Sequence, residues 1–335
     1  MGAAAPHTDT QDSLAAQLVL VREGVGLLDR SERGKLALDG PDAIEFLNGQ
    51  VTNELAGLTP GEGRYAAFLT HKGKMLGDLR VLAVPDGDRD AGMLLLDTER
   101  VALQALFDMI RRFKLGFRVE LHKRTVERGL LSLIGPGSAA TAGAESLALQ
   151  EHSSTPVRID SVQALAVRTD LGVDVFCEAS ERERLCGALR GRGAGAIGEQ
   201  AAECLRIESG RPRYGLDLDD TVIPQEAGLN DRAVSFTKGC YVGQETVARL
   251  FYKGRPNRHL RGLRLSAPAQ HGSELRLDGR TVGRLGSYAR SPRLGPIGLA
   301  LVRREAEPGS TLEVGEEGVT AEVVELPFPA GHGPG

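Results

Sequence analysis

The sequence predicts an α+β architecture followed by a small β-barrel, and three observations carry that prediction. Up to about residue 255, short apolar runs of strand type alternate with segments of helical periodicity. Part of this pattern reads as hairpins, which favours α+β layers over a doubly wound parallel sheet. After about Pro256 the helical pattern ends, and short alternating strands separated by turns take over.

Taken in order, residues 1–12 read as a frayed tail. Lys35–Leu38 is strand-like, and Gly40-Pro41-Asp42 opens a helix carrying Ile44, Phe46 and Leu47. Leu79–Val84 and Met93–Leu96 are apolar runs joined by PDGDRDAG, a hairpin with a long loop. Thr98 is placed to cap a helix with Val101, Leu103, Leu106, Phe107 and Ile110 on one face. Strands are expected at Phe117–Leu121, Leu130–Ile134, Ala164–Arg168 and Val173–Cys177. Ser180 and Glu183 form a capping box ahead of Leu185 and Leu189, and a further helix is expected over Glu199–Glu208. Downstream, strands are expected at Leu260–Leu265, Glu274–Leu277, Thr281–Leu285, Ile297–Val302, Thr311–Val314 and Val319–Leu326, with Asp278-Gly279 as a hairpin turn. The expected organisation is a tail over 1–12, an α+β region of two interleaved modules over 13–255, a barrel over 256–327 and a tail over 328–335.

Composition narrows the function. The 335 residues suit two or three domains of ~100–200 residues. Hydrophobic residues are 41% and charged residues 26%, which excludes disorder as the main state. Forty-one basic against 45 acidic side chains leave a net charge of −4, too near neutrality for a dedicated nucleic-acid binder. Cys177, Cys186, Cys204 and Cys240 form no C-x-x-C pair and no zinc spacing, so reduced thiols are expected and no metal site. The first residues carry no basic segment followed by an apolar run, and no stretch approaches the ~20 apolar residues of a membrane span. A cytoplasmic, monomeric protein without membrane attachment is expected.

Four segments could carry chemistry. Lys238-Gly239-Cys240-Tyr241-Val242-Gly243-Gln244-Glu245 precedes a helical pattern of Val247, Leu250 and Phe251 ending near Gly254. Cys240 thus sits ahead of a helix N-terminus with Lys238 two residues away, and both features favour a thiolate. A small buried apolar cysteine fits the same pattern. Arg206-Ile207-Glu208-Ser209-Gly210 ends a helix and runs into Arg211-Pro212-Arg213-Tyr214-Gly215-Leu216-Asp217, a functional cluster or a solvated loop. Thr70-His71-Lys72-Gly73-Lys74 lacks phosphate-loop spacing. Arg111-Arg112-Phe113-Lys114, with Arg118 and His122-Lys123-Arg124, reads as a solvated basic face.

Together these segments resemble the folate-binding YgfZ family, relatives of the glycine-cleavage T-protein. The resemblance rests on Phe46–Asn53 (FLNGQVTN), Lys72-Gly73-Lys74, Arg206–Gly210, Pro224–Leu229 (PQEAGL) and the signature over 238–245. It covers about residues 20–255 with a barrel after them. It implies a cloverleaf of modules around a channel for tetrahydrofolate, with Arg206, Asp174, Glu208, Lys72 and Gln244 as cofactor contacts. It further implies support of iron–sulfur enzyme assembly or repair through client or assembly proteins. Cys240 would be the reactive thiol, Lys238 its charge modulator and Asp78 the remaining catalytic aspartate. The chemistry suits a reduced pterin, whose N–H/C=O edge and amino group a carboxylate can accept from. T-proteins carry paired aspartates after a Gly-Gly turn. Here the stretch reads Gly73-Lys74-Met75-Leu76-Gly77-Asp78, with glycine at one aspartate position. That departure weighs against aminomethyl transfer, which stands as the alternative beside a non-catalytic folate sensor.

Overall fold

Helix α1 (Thr8–Glu23) leads into β1 (Gly26–Asp29), β2 (Gly34–Asp39) and α2 (Ala43–Asn48). Strands β3 (Gly63–Leu69), β4 (Met75–Asp86) and β5 (Arg89–Thr98) follow, then α3 (Leu103–Phe113), β6 (Glu120–Lys123), β7 (Arg128–Ile134) and α4 (Ser138–Thr141). Next come β8 (Ser154–Ile159), β9 (Val162–Arg168), β10 (Gly172–Glu178), α5 (Arg182–Gly191), β11 (Gly195–Ala196) and α6 (Glu199–Glu208). Past an irregular stretch lie α7 (Asn230–Ala233) and α8 (Gln244–Lys253). The remaining strands are β12 (Arg258–Leu265), β13 (Glu274–Leu277), β14 (Arg280–Ser291), β15 (Gly295–Arg303), β16 (Thr311–Val314) and β17 (Val319–Val324). The computed structural model describes residues 8–86, 89–315 and 318–329.

These strands form a six-stranded sheet ordered β11-β1-β7-β10-β9-β8, a five-stranded sheet ordered β3-β4-β5-β2-β6, and a closed barrel of β12 to β17. Among the described strands β1 with β11 is the only parallel pair, as an α+β architecture of hairpins requires. The two open sheets face each other. Strand periodicity sorts β4 accordingly: Leu79, Val81 and Ala83 enter the core under α2 and α3, while Leu82 and Val84 meet Leu130, Val167 and Phe176 of the other sheet. Each such leucine, valine or phenylalanine, fully buried, contributes about 1.5–3 kcal/mol. The same inter-sheet face continues along β4 as Asp78 and Arg80, along β7 as Ser132 and along β10 as Asp174. The layer is therefore apolar at one end and polar at the other, and the polar end opens into the site.

Local expectations are corrected at several points. Thr98 caps no helix: it ends β5 and its hydroxyl donates to the Asp78 carbonyl, and α3 begins only at Leu103. Ser180 and Glu183 make no capping box, because a 3-10 turn over Ala179–Glu181 leads into α5 without a side-chain cap. The strand expected at Phe117–Leu121 is shifted to Glu120–Lys123, after a turn in which Phe117 donates to the Lys114 carbonyl. The long hairpin loop is mostly strand, with pairing continued to Asp86 and Arg89. Of the expected tail over 1–12, residues from Thr8 are helical and the rest lie outside the described residues. At the other end Phe328 is buried and its amide donates to the Glu208 carbonyl, so the chain is still packed beyond residue 327. No helix among the described residues is long and apolar enough to cross a membrane.

Candidate active site

A cavity of about 180 Å³ lies where the polar ends of the two open sheets meet the irregular stretch after α6. Pockets for whole drug-sized ligands run to ~300–1,000 Å³, so this volume suits a head group with the remainder of the ligand outside. Asp78 and Arg80 from β4, Tyr65 from β3 and Asp174 from β10 line it, together with Arg206, His152, Glu151, Arg211 and Arg232.

Asp78 is the group with the clearest chemistry. It is buried and accepts a 2.7 Å hydrogen bond from the Tyr65 hydroxyl. Burial pushes its carboxyl up to about 6, against the Tyr65 bond that favours ionisation. Beside it, Asp97 has the opposite fate. Burial alone would raise Asp97, but Arg33 and Arg80 override it and hold the carboxyl at about 2. Arg33 Nε lies 3.0 Å and Arg80 Nε 2.7 Å from the Asp97 oxygens. Two carboxyls on neighbouring strands are thus driven in opposite directions, the pattern of a poised acid beside a fixed counter-ion. At the neighbouring position, a Cβ on Gly77 would lie 2.6 Å from both Ala102 Cβ and Phe68 Cζ, so the second aspartate of the T-proteins has no room.

The residues expected at a folate site are distributed unevenly. Asp78, Asp174 and Arg206 line the cavity together. Asp174 Oδ2 takes a 2.6 Å bond from Arg80 Nη1 and Oδ1 one from Ser132. Arg206 binds Glu203 in a fork of 2.9 and 2.7 Å, Asp217 at 2.9 Å, the Arg211 carbonyl and Ser287. It ties α6 to the barrel strand β14, with Asp217 also accepting from the Ser287 amide at 2.7 Å. Glu208 is turned to the barrel, where Ser291 and Arg293 donate to it, and it is absent from the cavity wall. Lys72 is exposed on the β3–β4 turn and Gln244 begins α8, and neither lines the cavity.

The signature over 238–245 forms a turn packed against the Ala67–Leu69 end of β3, on the face that also carries Tyr65. Gly243 adopts a left-handed conformation with φ 84° at the start of α8, and a Cβ there would meet the Thr70 carbonyl at 2.6 Å. The helix ends at Lys253, as the pattern predicts, and Gly254 after it is extended. Tyr241 and Val247 pack with Ala67, Leu69 and Ala233. Cys240 is exposed and does not line the cavity. Lys238 is buried, and its ammonium donates to the Asn48, Val51 and Asn53 carbonyls and to Asn48 Oδ1 at 2.6–3.0 Å. Its charge is directed to organising the loop after α2, within the FLNGQVTN stretch, and leaves no ammonium for the Cys240 thiol.

Sequence reasoning missed Tyr65, Arg80, Asp97 and His152, and it named Arg211 only as part of the Arg206–Asp217 segment. One signal was available: Asp78 and Arg80 stand at i and i+2 in an otherwise apolar strand run, with Asp97 closing a second one. Charges repeated with period 2 in buried strands mark a polar inter-sheet face.

The chain matches the GCVT N-terminal domain over residues 4–238 and the glycine cleavage T-protein C-terminal barrel domain over 258–329. It is 31% identical to the aminomethyltransferase of Rubrobacter xylanophilus, over 94% of this chain and 86% of that protein. The aminomethyltransferase of Thermosipho melanesiensis is 26% identical over 94% and 89%. The crystal structure of glycine cleavage system aminomethyltransferase T from Bartonella henselae superposes with a TM-score of 0.82 at 24% identity, covering 94% of this chain and 89% of that one. On the extent of these matches, the chain belongs to the glycine cleavage T-protein family.

Proposed function

We propose that this protein is a tetrahydrofolate-dependent one-carbon transferase of the aminomethyl type, with Asp78 as its proton-handling group. Balanced, the reaction moves the methylene of an S-aminomethyl donor onto the two folate amines, which lose two protons as ammonia and a free thiol leave. That exchange needs a group able to take a proton from one amine and return it to another near neutrality. The observation that carries the reading is Asp78, a cavity carboxyl raised to about 6 and held by Tyr65. Relatives named aminomethyltransferases over nearly the whole chain support the same chemistry. A folate head group fits the residues present: the cavity is small, polar and bounded by the Tyr65 and Tyr214 rings. Bound there, it supplies the nucleophilic amines, and this chain supplies orientation and the proton. Glycine stands where the second aspartate would be, closely packed by Ala102 and Phe68, and Asp78 beside it lines the cavity. The test is formation of methylene-tetrahydrofolate from tetrahydrofolate and S-aminomethyl-dihydrolipoamide. Asp78→Asn should slow it about 10²-fold or more, and equal rates would dismiss the proposal.

A second reading, iron–sulfur enzyme support of the YgfZ type, is favoured by one observation: the 238–245 turn holds Cys240 exposed on an ordered surface. Iron–sulfur enzyme activities in a deletion strain complemented with wild type or Cys240→Ala decide it. Loss with Cys240→Ala supports the reading, and full rescue removes it.

A further inference from the structure

The groups expected to hold a pterin are already occupied within the protein. Both Asp174 oxygens accept bonds, from Arg80 and Ser132, and every guanidinium nitrogen of Arg206 donates to a protein partner. The unsatisfied groups lie in another corner of the cavity. His152 and Arg211 both line it, and His152 Nδ1 and Arg211 Nη1 are buried without any hydrogen-bond partner. Native proteins leave few such atoms, and each calls for an explanation.

Glu151 joins the two residues. Its Oε2 accepts from Arg211 Nη2 at 3.4 Å, and its Oε1 lies 3.6 Å from His152 Nε2 and accepts from Arg232 at 2.9 Å. Arg211 Nε faces Asp170 at 3.1 Å. A proton on Nε2, toward the carboxylate, leaves His152 Nδ1 as an acceptor. Burial, reinforced by the charges of Arg80 and Arg211, holds the imidazole neutral, with its titration pushed down to about 3. His152 also has φ 73°, a left-handed backbone that non-glycine residues rarely adopt, so presenting this ring carries a conformational cost.

The corner therefore offers one acceptor and one donor, and its charges balance, with Arg211 and Arg232 set against Glu151 and Asp170. A carboxylate would face the His152 lone pair and bring an uncompensated charge. A neutral cyclic amide satisfies both atoms, its N–H on His152 and its carbonyl on Arg211. We propose that the Glu151–His152–Arg211 corner reads a cyclic-amide edge of the ligand, His152 Nδ1 accepting the ring N–H and Arg211 Nη1 donating to the ring carbonyl. This rests on the folate reading above, because a reduced pterin carries that edge.

Calorimetric titration of 5-formyltetrahydrofolate against a 2,4-diaminopteridine antifolate tests it, because the second ligand replaces the ring carbonyl with an amino group. Wild type should favour the oxo-pterin by about tenfold or more. Arg211→Leu and His152→Phe should each bring that ratio toward one, and Arg211→Gln, which keeps a donor, should restore part of it. Melting curves identify any variant that fails to fold, and Arg211→Gln serves in its place. If wild type binds neither ligand, the folate reading fails and this inference with it. If wild type binds folate without preference, or with one that survives all three substitutions, the corner assignment is overturned and the folate reading stands.

Discussion

Replacing Asp78 with asparagine should make the protein more stable at neutral pH while removing its activity. The carboxyl titrates at about 6 in the folded chain against an ordinary 3.8, chiefly because burial disfavours its ionised form. Below 3.8 it is protonated in both states and contributes nothing to the pH dependence. Between 3.8 and about 6 the unfolded chain gives up its proton first, so stability falls as pH rises. Above about 6 the penalty is complete, and two units correspond to about 3 kcal/mol. Asparagine fills the same volume, still accepts from the Tyr65 hydroxyl and carries no charge to desolvate. Asp78→Asn should accordingly gain about 2–3 kcal/mol at pH 8 and almost nothing at pH 4. Urea unfolding of both proteins at these two pH values measures the difference. A variant less stable than wild type at pH 8, or an equal gain at both pH values, would refute the assignment of a strained carboxyl.

Three further outcomes follow from the same geometry. Asp97→Ala leaves Arg33 and Arg80 facing each other without their carboxylate and should cost about 3–5 kcal/mol in denaturant unfolding; in wild type the Asp97 contribution, complete above pH 3.8, should disappear as pH falls toward about 2. Arg206→Ala strands the buried Asp217 and should loosen the α6–barrel contact by a similar ~3–5 kcal/mol, so a lower melting temperature without loss of folate affinity would mark Arg206 as structural. Iodoacetamide should modify the exposed Cys240 in the native protein and reach Cys177 and Cys204 only after unfolding, because burial pushes those thiols up to about 11 and 12; mass spectrometry of the alkylated sites reads this directly.

The fold was legible because its periodicities are local. The switch from mixed periodicity to short alternating strands near Pro256 coincides with the start of the barrel strand β12. The site was legible only where chemistry and register coincide. Asp78, Asp174 and Arg206 reach one cavity because each ends on the polar part of an inter-sheet or inter-helix face. Glu208 fails for a simple reason: two residues past Arg206 on a helix is about 200° of rotation, which carries it to the barrel side. Lys238 fails because adjacency in a turn says nothing of where a four-carbon stem sends its ammonium, and the carbonyls around Asn48 form a better-matched cage than a surface thiol. His152 carries no local signature at all, and Arg211 stands out only as one of several charges in the Arg206–Asp217 segment. Their meaning depends on what remains unpaired after every neighbour is satisfied, and that is a property of the tertiary structure.

Asp78 and Cys240 cannot serve one chemical step in this arrangement. The core that buries Ala67, Leu69, Tyr241 and Val247 fills the same face of β3 as the cavity residue Tyr65, and Cys240 is exposed and lines no part of the cavity. A thiol attacking a cavity-bound group would have to leave the surface and displace part of that close-packed core. Cys240→Ala should therefore leave methylene-tetrahydrofolate formation intact, and Asp78→Asn should leave Cys240 alkylation intact. Loss of transfer activity in a folded Cys240→Ala protein would show that the turn reorganises during the reaction. Independence of the two variants would instead make the cavity and the thiol surface separate functions of one chain, joined through the core on one face of β3.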